Sequence, residues 1–320
     1  MRPTSIGRED DGSSFWQEVP RGARRGAIAV PSGLLAVVAA GEPEGPSVVL
    51  VPGITGSKED FSLMIGPLTD AGANVISFDL AGQYQSFAAG PENLTPPRAR
   101  YDWDLFVDDL LAVLESRRRP SHVVGYSFAG VVAQLALVSR PELFLSLTLL
   151  SCPPEPGHGF AGIPVIGPLS ERSSGRLDAS IMTWGIAHNL NRVPAERLRF
   201  VRRRFLFTRR DSISDALELM NRIPDCRTAL AATGIPKIVA VGEHDLWPEE
   251  LHRRFAESIG ARFLLYPGGH SPCETSPVEL SRDLIAALLP PGPSRDRSGV
   301  ATVSDEGSAR PEGLEPGARR

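Results

Sequence analysis

Three side chains that together can perform acyl transfer occur in the order Ser127, Asp245 and His270. A serine hydroxyl is a weak nucleophile at neutral pH, so it needs a histidine to accept its proton and a carboxylate to orient that histidine. The three residues are far apart along the chain, but each follows a short apolar run. A fold that gathers the ends of those runs at one edge would bring the three side chains together.

The serine has the most informative surroundings. It lies in Val123-Val124-Gly125-Tyr126-Ser127-Phe128-Ala129-Gly130, where an apolar strand pattern leads directly into a helix-forming stretch. A tight strand-to-helix turn would strain the backbone of Ser127, expose its hydroxyl and require small residues at positions 125 and 129. The same turn would direct the Phe128 N–H toward the hydroxyl. An incidental serine in a short turn is the alternative, and the flanking strand and helix favour catalysis.

The candidate base and acid follow two later strand patterns. His270 ends the segment Ala261–His270 on a glycine-rich loop, which would let its ring reach back toward the serine. The segment Lys237–Asp245 is a strand pattern followed by a loop with two carboxylates, Glu243 and Asp245. An exposed loop histidine and a solvated turn are the alternatives for these segments. The residues alone do not choose between the two carboxylates.

Short apolar runs alternate with helical patterns along most of the chain, which is typical of an α/β fold with a largely parallel sheet. Apolar residues at helical spacing mark three helices, near residues 103–114, 251–259 and 280–288. The runs predicted as strands are Leu34–Ala39, Ser47–Val51, Asn74–Phe78, Ser121–Val124, Phe144–Leu150, Lys237–Val241 and Ala261–Tyr266.

The composition divides the chain into a core, an insertion and two tails. Residues 1–25 and 291–320 are rich in Gly, Pro, Ser and charged residues, and we expect them to be disordered. Residues 26–152 and 232–290 carry the alternating pattern and form the predicted core. Residues 153–231 lack strand patterns but contain amphipathic helical ones, so they predict a helical lid inserted over one edge of the sheet.

The order Ser, Asp, His and the turn Gly242 to Asp245 resemble the α/β-hydrolase family, whose acid commonly sits in a Gly-x-x-Asp turn. This resemblance implies a mostly parallel central sheet flanked by helices, and it favours Asp245 over Glu243. It also implies that the loop at Gly53 supplies the Ile54 N–H as one half of an oxyanion hole, with the Phe128 N–H as the other.

Two loops depart from the pattern of the family. Pro52 stands where histidine often precedes the glycine, and a simple Pro-Gly β-turn explains this loop equally well. In Asp79-Leu80-Ala81-Gly82-Gln83-Tyr84-Gln85-Ser86, Tyr84 replaces the second glycine of an Asp-x-x-Gly-x-Gly-x-Ser motif. We interpret Asp79 and Gly82 as structural.

The composition of the insertion is the part of the sequence that bears on the kind of substrate. Its first part is apolar, as a lid over a pocket for a substrate with an apolar portion would be, although packing of the lid against the sheet explains the same pattern. Candidate substrate-binding residues are Tyr84, Tyr126 and Trp184. Seven arginines between Arg197 and Arg210 suggest either an anionic partner or, at least as well, a solvated basic helix face.

The resemblance implies a serine hydrolase that works through an acyl-enzyme, with a carboxylic ester or lactone as the first choice of substrate. The alternatives are C–C bond or amide hydrolysis, a cofactor-free perhydrolase or haloperoxidase activity, cofactor-independent oxygenation, and a non-catalytic protein that binds small molecules. Epoxide hydrolases and haloalkane dehalogenases of this family use an aspartate nucleophile, so Ser127 argues against both.

The bulk composition is that of a globular protein, with 42% hydrophobic and 22% charged residues. A net charge of −4 gives no reason to expect nucleic acid or a membrane as a partner. The three cysteines form no metal or redox motif, the N-terminus has no apolar signal region, and no apolar run approaches about 20 residues. We therefore expect a cytoplasmic protein without metal or cofactor. Its arginine-rich composition fits a bacterial origin, and its oligomeric state is open.

Overall fold

The computed structural model describes Pro20, residues 22–160, Ile163 and residues 195–288. Within these residues the chain forms one eight-stranded sheet with the order β1-β2-β4-β3-β5-β6-β7-β8. The strands are β1 Arg24–Val30, β2 Gly33–Ala40, β3 Ser47–Val51, β4 Asn74–Phe78, β5 Ser121–Tyr126, β6 Phe144–Leu150, β7 Lys237–Gly242 and β8 Arg262–Tyr266.

The sheet is antiparallel at one edge and parallel elsewhere. Strand β2 pairs antiparallel with β1 and β4, and all other pairs are parallel. Strands β3, β5 and β7 are buried along their whole length, as expected for parallel strands covered on both faces. Their carboxyl ends lie at the same edge, where the loops after β3, β5, β7 and β8 can meet.

Helices cover both faces of the sheet. Alternate residues of β3 divide between two core clusters, Val49 and Val51 in one and Val48 and Leu50 in the other. The helices are α1 Ser62–Asp70, α2 Trp103–Ser116, α3 Phe128–Ser139, α4 Ala195–Leu206, α5 Arg210–Met220, α6 Arg227–Ala232, α7 Glu249–Ser258, α8 Pro272–Thr275 and α9 Pro277–Leu288. The predicted α/β class, with a mostly parallel sheet flanked by helices, is confirmed.

Among the strands in the described residues, β1 is the one that the sequence did not predict. It begins at Arg24, inside the segment 1–25 expected to be disordered, and continues to Val30 as an edge strand. Most of its side chains are exposed, so it lacks the alternation of apolar and polar residues by which a half-buried strand is recognised. Its ladder with β2, from Arg24 opposite Ala39 to Val30 opposite Gly33, holds it in place.

The described residues between β6 and β7 form α4, α5 and α6, together with one isolated antiparallel bridge between Gly157 and Ile223. Helical structure after the sixth strand agrees with the pattern of the sequence. The lid itself stays a prediction, because residues 161, 162 and 164–194 lie outside the described part of the chain. The same holds for the tails at 1–19 and 289–320.

Candidate active site

Ser127 lies on a sharp turn between β5, which ends at Tyr126, and α3, which begins at Phe128. Its backbone has φ 54° and ψ −120°, a strained conformation for a residue other than glycine. Gly125 makes the turn possible, since a Cβ there would lie 2.6 Å from the carbonyl oxygen of Ala129. The strain is held by the sheet, because the Ser127 N–H donates to the Leu150 carbonyl at 2.8 Å.

The position after Ala129 is a second tight contact that the sequence analysis did not single out. A Cβ on Gly130 would lie 2.6 Å from Cys152 Sγ, so helix α3 can approach the end of β6 only with glycine there. Ala129 is fully buried and its methyl group fits. The requirement for small residues therefore extends over both positions after Phe128.

The three candidate catalytic side chains lie in one hydrogen-bonded row. His270 Nε2 is 3.0 Å from Ser127 Oγ, and His270 Nδ1 is 2.6 Å from Asp245 Oδ1. An Nδ1–H that donates to the carboxylate leaves Nε2 free to accept the Ser127 proton. The Asp245 carboxylate is 1% exposed, and the His270 imidazole, between the other two side chains, is 23% exposed.

The structure brings Asp245, not Glu243, to the histidine. Glu243 and His244 are both exposed on the loop after β7. Burial alone would raise the pKa of Asp245, but hydrogen bonds to His270 and Ser151, together with the charges of His270 and His252, outweigh burial and lower this pKa. Asp245 is thus held as a carboxylate next to the imidazole.

The loop after β3 lies directly against Ser127. A Cβ on Gly53 would be 3.1 Å from Ser127 Cβ, close enough that a larger residue would have to push its neighbour away by a few tenths of an ångström. Among the described residues, no partner accepts a hydrogen bond from the N–H of Ile54 or of Phe128. The Phe128 N–H is free because it starts a helix, where the first N–H groups have no partner within the helix.

Gln83 and Thr55 fix the shape of this loop, and the sequence analysis missed both. Thr55 has φ 62°, and its N–H donates to Gln83 Oε1 at 2.8 Å. Gln83 is fully buried in the turn after β4. A polar residue in a family-like turn was the only signal, and its partner in another loop could not be inferred from spacing.

Lys58 and Asp79 join the same two loops by charge. Lys58 Nζ lies 2.9 Å from Asp79 Oδ2, and the Lys58 N–H donates to Asp79 Oδ1 at 2.8 Å. Burial raises the pKa of Asp79 to about 6, although Lys58 acts in the opposite direction. These contacts agree with the structural role predicted for Asp79.

The arginine run is partly buried, which its composition did not reveal. Arg204 Nη1 lies 2.7 Å and Arg197 Nη2 lies 3.2 Å from Asp60 Oδ1, and each of these side chains is at most 8% exposed. Asp60 follows the Gly53 loop, so the two arginines fasten helix α4 to it. Lys58, Asp60, Asp79, Arg197 and Arg204 are called the charged anchor below.

The structure describes the surroundings of two of the three candidate substrate-binding residues. Tyr126 is close to the row, with its ring centroid 5.4 Å from that of His270 and its hydroxyl 2.7 Å from Ser271 Oγ. Tyr84 packs edge-on against Phe200 of α4, 6.0 Å between ring centroids. Trp184 lies outside the described residues. The substrate-binding role of each stays a prediction.

Trp247 is a further neighbour of the row that the sequence did not indicate. Its ring centroid is 5.7 Å from that of His270, and its Nε1–H donates to the Gly159 carbonyl at 2.8 Å. Gly159 belongs to the first part of the insertion. Trp247 therefore links the insertion to the histidine.

The model of the α/β hydrolase family matches residues 48–283, which include the row and the loops around it. The chain therefore belongs to the α/β hydrolase family. The family supports hydrolase activity, and it does not specify the substrate.

Similar proteins agree on the fold. The AB hydrolase superfamily protein YfhM of Bacillus subtilis (strain 168) is 30% identical over 120 residues, which span 37% of this chain and 40% of that relative. A bromoperoxidase from Bacillus anthracis superposes with a TM-score of 0.67 at 18% identity, covering 83% of this chain and 99% of the other. An enol-lactonase from Burkholderia xenovorans LB400 gives 0.65 at 17% identity, covering 82% and 99%.

Within the described residues, no group of three or more His, Cys, Asp or Glu side chains is arranged to hold a metal ion. None of the helices in this part of the chain is long and apolar enough to span a membrane.

Proposed function

We propose that the protein hydrolyses a carboxylic ester or lactone, with Ser127 as nucleophile, His270 as general base and Asp245 as the residue that orients the histidine. The observation that carries this proposal is the row itself, with 3.0 Å from His270 Nε2 to Ser127 Oγ and 2.6 Å from His270 Nδ1 to Asp245 Oδ1. These are distances at which a proton can move from the hydroxyl to the imidazole.

The first step is attack by Ser127 Oγ on the substrate carbonyl carbon. The Ser127 proton passes to His270 Nε2, and the Asp245 carboxylate stabilises the imidazolium that results. The lowered pKa of Asp245 keeps this carboxylate charged at neutral pH. The strained turn presents Oγ at the carboxyl edge of the sheet, where a substrate can reach it.

The carbonyl oxygen gains negative charge during attack. The N–H groups of Ile54 and Phe128 flank Ser127 and are available to donate to this oxyanion. Loss of one such donor typically costs about 100-fold to 1,000-fold in rate. The Gln83 contact to Thr55 supports the loop that carries the Ile54 donor.

Collapse of the tetrahedral intermediate breaks the bond to the leaving oxygen. His270 returns its proton to that oxygen, the alcohol departs, and the acyl group remains on Ser127. A water molecule then attacks the acyl-enzyme, with His270 accepting its proton, and the acid is released. In a lactone, the leaving alcohol and the acid stay in one molecule.

The insertion is the proposed lid, and a substrate with an apolar portion is the proposed ligand. Helix α5 is joined to the loop after β4 by the Ser212 hydroxyl, which donates to the Ala81 carbonyl at 2.9 Å. Together with the charged anchor, this contact places α4 and α5 beside the loops at the carboxyl edge. The enol-lactonase similarity supports lactones as substrates to be tested.

The test is hydrolysis of p-nitrophenyl esters from acetate to octanoate and of simple lactones. Wild type is compared with Ser127→Ala and His270→Ala, with folding checked by circular dichroism. We expect turnover by wild type and a loss of about 10⁵-fold to 10⁶-fold in both variants. Ser139→Ala, at the exposed end of α3, is the matched control and should retain wild-type turnover.

The other candidates give different results in the same experiment. Ester turnover that survives Ser127→Ala would contradict acyl transfer through this serine and would leave the histidine and aspartate as the base, which is the arrangement that cofactor-independent oxygenation requires. Folded wild type that neither hydrolyses these substrates nor reacts with a fluorophosphonate at Ser127 would favour a binding protein. Reaction with the fluorophosphonate without ester turnover would favour C–C, amide or perhydrolase chemistry on the same residues, for which the bromoperoxidase similarity gives a first substrate to try.

A further inference from the structure

A second histidine lies behind the carboxylate of the row. His252, on α7, is fully buried, and its Nε2 is 3.7 Å from Asp245 Oδ2, the oxygen that His270 does not use. Its ring packs edge-on against Trp247, with 6.0 Å between ring centroids. His252 and His270 thus lie next to different oxygens of the Asp245 carboxylate.

Unsatisfied polar atoms converge on this oxygen. In the described part of the chain, Asp245 Oδ2, Ser151 Oγ and both ring nitrogens of His252 have no hydrogen-bond partner with ordinary geometry. Buried polar groups in folded proteins are nearly always paired, so several unpaired groups at one place call for a common explanation. Small rotations would let one acceptor, Oδ2, pair with two donors, the Ser151 hydroxyl and a ring N–H of His252.

Ser151 also carries backbone strain. It follows β6 with φ 45°, in the region that favours glycine, and its N–H donates to the Ala240 carbonyl at 2.8 Å. Its side chain is fully buried and helps to lower the pKa of Asp245. A strained residue that the sheet holds beside a functional carboxylate is typical of a positioning role.

We propose that His252 and Ser151 are positioning residues that hold Asp245 Oδ2, so that Asp245 Oδ1 stays aligned with His270. This inference rests on the proposed function, because it assigns to the two residues an effect on the histidine that activates Ser127. The donor from His252 is the Nε2–H of its neutral ring, and the donor from Ser151 is its hydroxyl. Neither residue touches the substrate.

The neutral form of His252 follows from its surroundings. Burial lowers its pKa to about 4, although the Asp245 charge acts in the opposite direction. The titratable groups that act on it are Asp245, after β7, and His270, after β8. His252 therefore acts as a dipole throughout the pH range in which a hydrolase of this kind works.

The experiment follows the rate at which a fluorophosphonate labels Ser127 as a function of pH, measured by intact mass, so it needs no knowledge of the substrate. A lost N–H toward the carboxylate leaves more charge on Oδ1, which favours the protonated imidazole. In His252→Phe we therefore expect the midpoint of the acid limb of the profile to move to higher pH by about half a pH unit and the plateau rate to fall about 10-fold. In His252→Gln, which restores an N–H donor, both should return toward wild type.

Two further variants separate positioning from general damage. His122→Phe removes another buried histidine with a pKa lowered to about 4, bound to Ser146 and distant from Asp245 in the fold, and should leave the limb unchanged. Ser151→Ala should shift the acid limb in the same direction as His252→Phe. The shift in the double variant should be smaller than the sum of the two single shifts, because both residues act on one oxygen.

The outcomes distinguish the two proposals. No labelling of folded wild type would overturn the proposed function and this inference with it. Normal labelling of wild type, with an unshifted limb in His252→Phe, would overturn the inference alone. If the phenylalanine variant fails to fold, ¹⁵N chemical shifts of the wild-type histidines decide, since a His252 that titrates near pH 6.5 or carries its proton on Nδ1 contradicts the inference.

Discussion

Two polar clusters lie side by side at the carboxyl edge of the sheet, and they are built on opposite plans. In the charged anchor, each charge meets an opposite charge within 3.2 Å, and every side chain is at most 8% exposed. In the row, Asp245 and Ser127 are buried, and the histidine between them, His270, is 23% exposed.

The difference explains what each cluster does. A buried charge that is compensated on all sides cannot be removed without leaving its partner unpaired, so the anchor is expected to affect folding. A row whose histidine is partly open to solvent can pass a proton toward a ligand, so the row is expected to affect rate. Substitutions in the two clusters test this division.

Asp245→Asn should remove nearly all activity without removing the fold. The amide offers an N–H where the carboxylate accepts one, so His270 takes the wrong tautomer, and we expect a fall of about 10⁴-fold in kcat. Ester hydrolysis or fluorophosphonate labelling measures the fall, and thermal unfolding measures the fold. Glu243→Gln, on the same loop but exposed, is the control. Equal losses in the two variants would contradict the assignment of the acid.

Asp60→Asn should instead destabilise the fold. It removes the carboxylate that pairs with Arg204 and Arg197, whose charges and hydrogen bonds help to outweigh burial and lower the pKa of Asp60. Breaking a buried ion pair in this way typically costs about 3–5 kcal/mol in the free energy of unfolding. Urea denaturation provides the measurement, with Arg199→Gln, exposed on the same helix, as control. Loss of activity without loss of stability would place Asp60 in the chemistry instead.

Asp109 sharpens the comparison, because it is a buried carboxylate to which no cation of the described residues is paired. It accepts hydrogen bonds from the N–H and hydroxyl of Ser32 at 3.0 and 2.5 Å, and burial raises its pKa to about 7 despite them. A raised pKa contributes stability that is complete below pH 3.8, the ordinary value, and is lost as the pH rises through 7.

We therefore expect wild type to lose about 2 kcal/mol relative to Asp109→Asn between pH 5 and pH 8. Urea midpoints of both proteins at the two pH values provide the measurement. Parallel pH dependence in the two proteins would show that Asp109 is already ionised at pH 5.

Gln83 lies between the two clusters, and its substitution should lower both the rate and the stability by a small amount. Gln83→Leu removes the acceptor for the Thr55 N–H and loosens the loop that carries Ile54. We expect a loss of about 10-fold in kcat, less than for removal of an oxyanion donor, and about 1 kcal/mol of stability. Gln83→Glu keeps an acceptor and should recover most of the rate. A KM effect without a kcat effect would indicate a substrate contact instead.

The sequence predicts the parts of this structure that depend on local pattern. Apolar runs and helical stripes predict seven of the eight strands found in the described residues, because burial leaves a periodic trace in the sequence. Strand β1 leaves no such trace, since most side chains of this edge strand, which begins with Arg24 and Arg25, are exposed and do not alternate between apolar and polar. The strained turn at Ser127 is also local and was predicted from its small neighbours.

Pairings between distant polar residues could not be predicted. Nothing in the spacing of Lys58 and Asp79, or of Asp245 and His252, shows that they meet. A polar residue is the same letter in the sequence whether its side chain is solvated or paired. The arginine run illustrates the limit, since Arg197 and Arg204 are buried while Arg199 and Arg203 are exposed on the same helix. Only the fold separates them.

The insertion leaves the sheet after β6 and returns at β7, two neighbouring parallel strands whose alignment, with Leu147 beside Lys237 and Leu150 beside Ala240, depends on the sheet alone. Evolution can therefore lengthen, shorten or replace this segment without disturbing the strands on either side. The same property makes it an exchangeable module for protein engineering. Libraries that vary its surface while keeping Arg197 and Arg204 would explore new ligands on an unchanged framework.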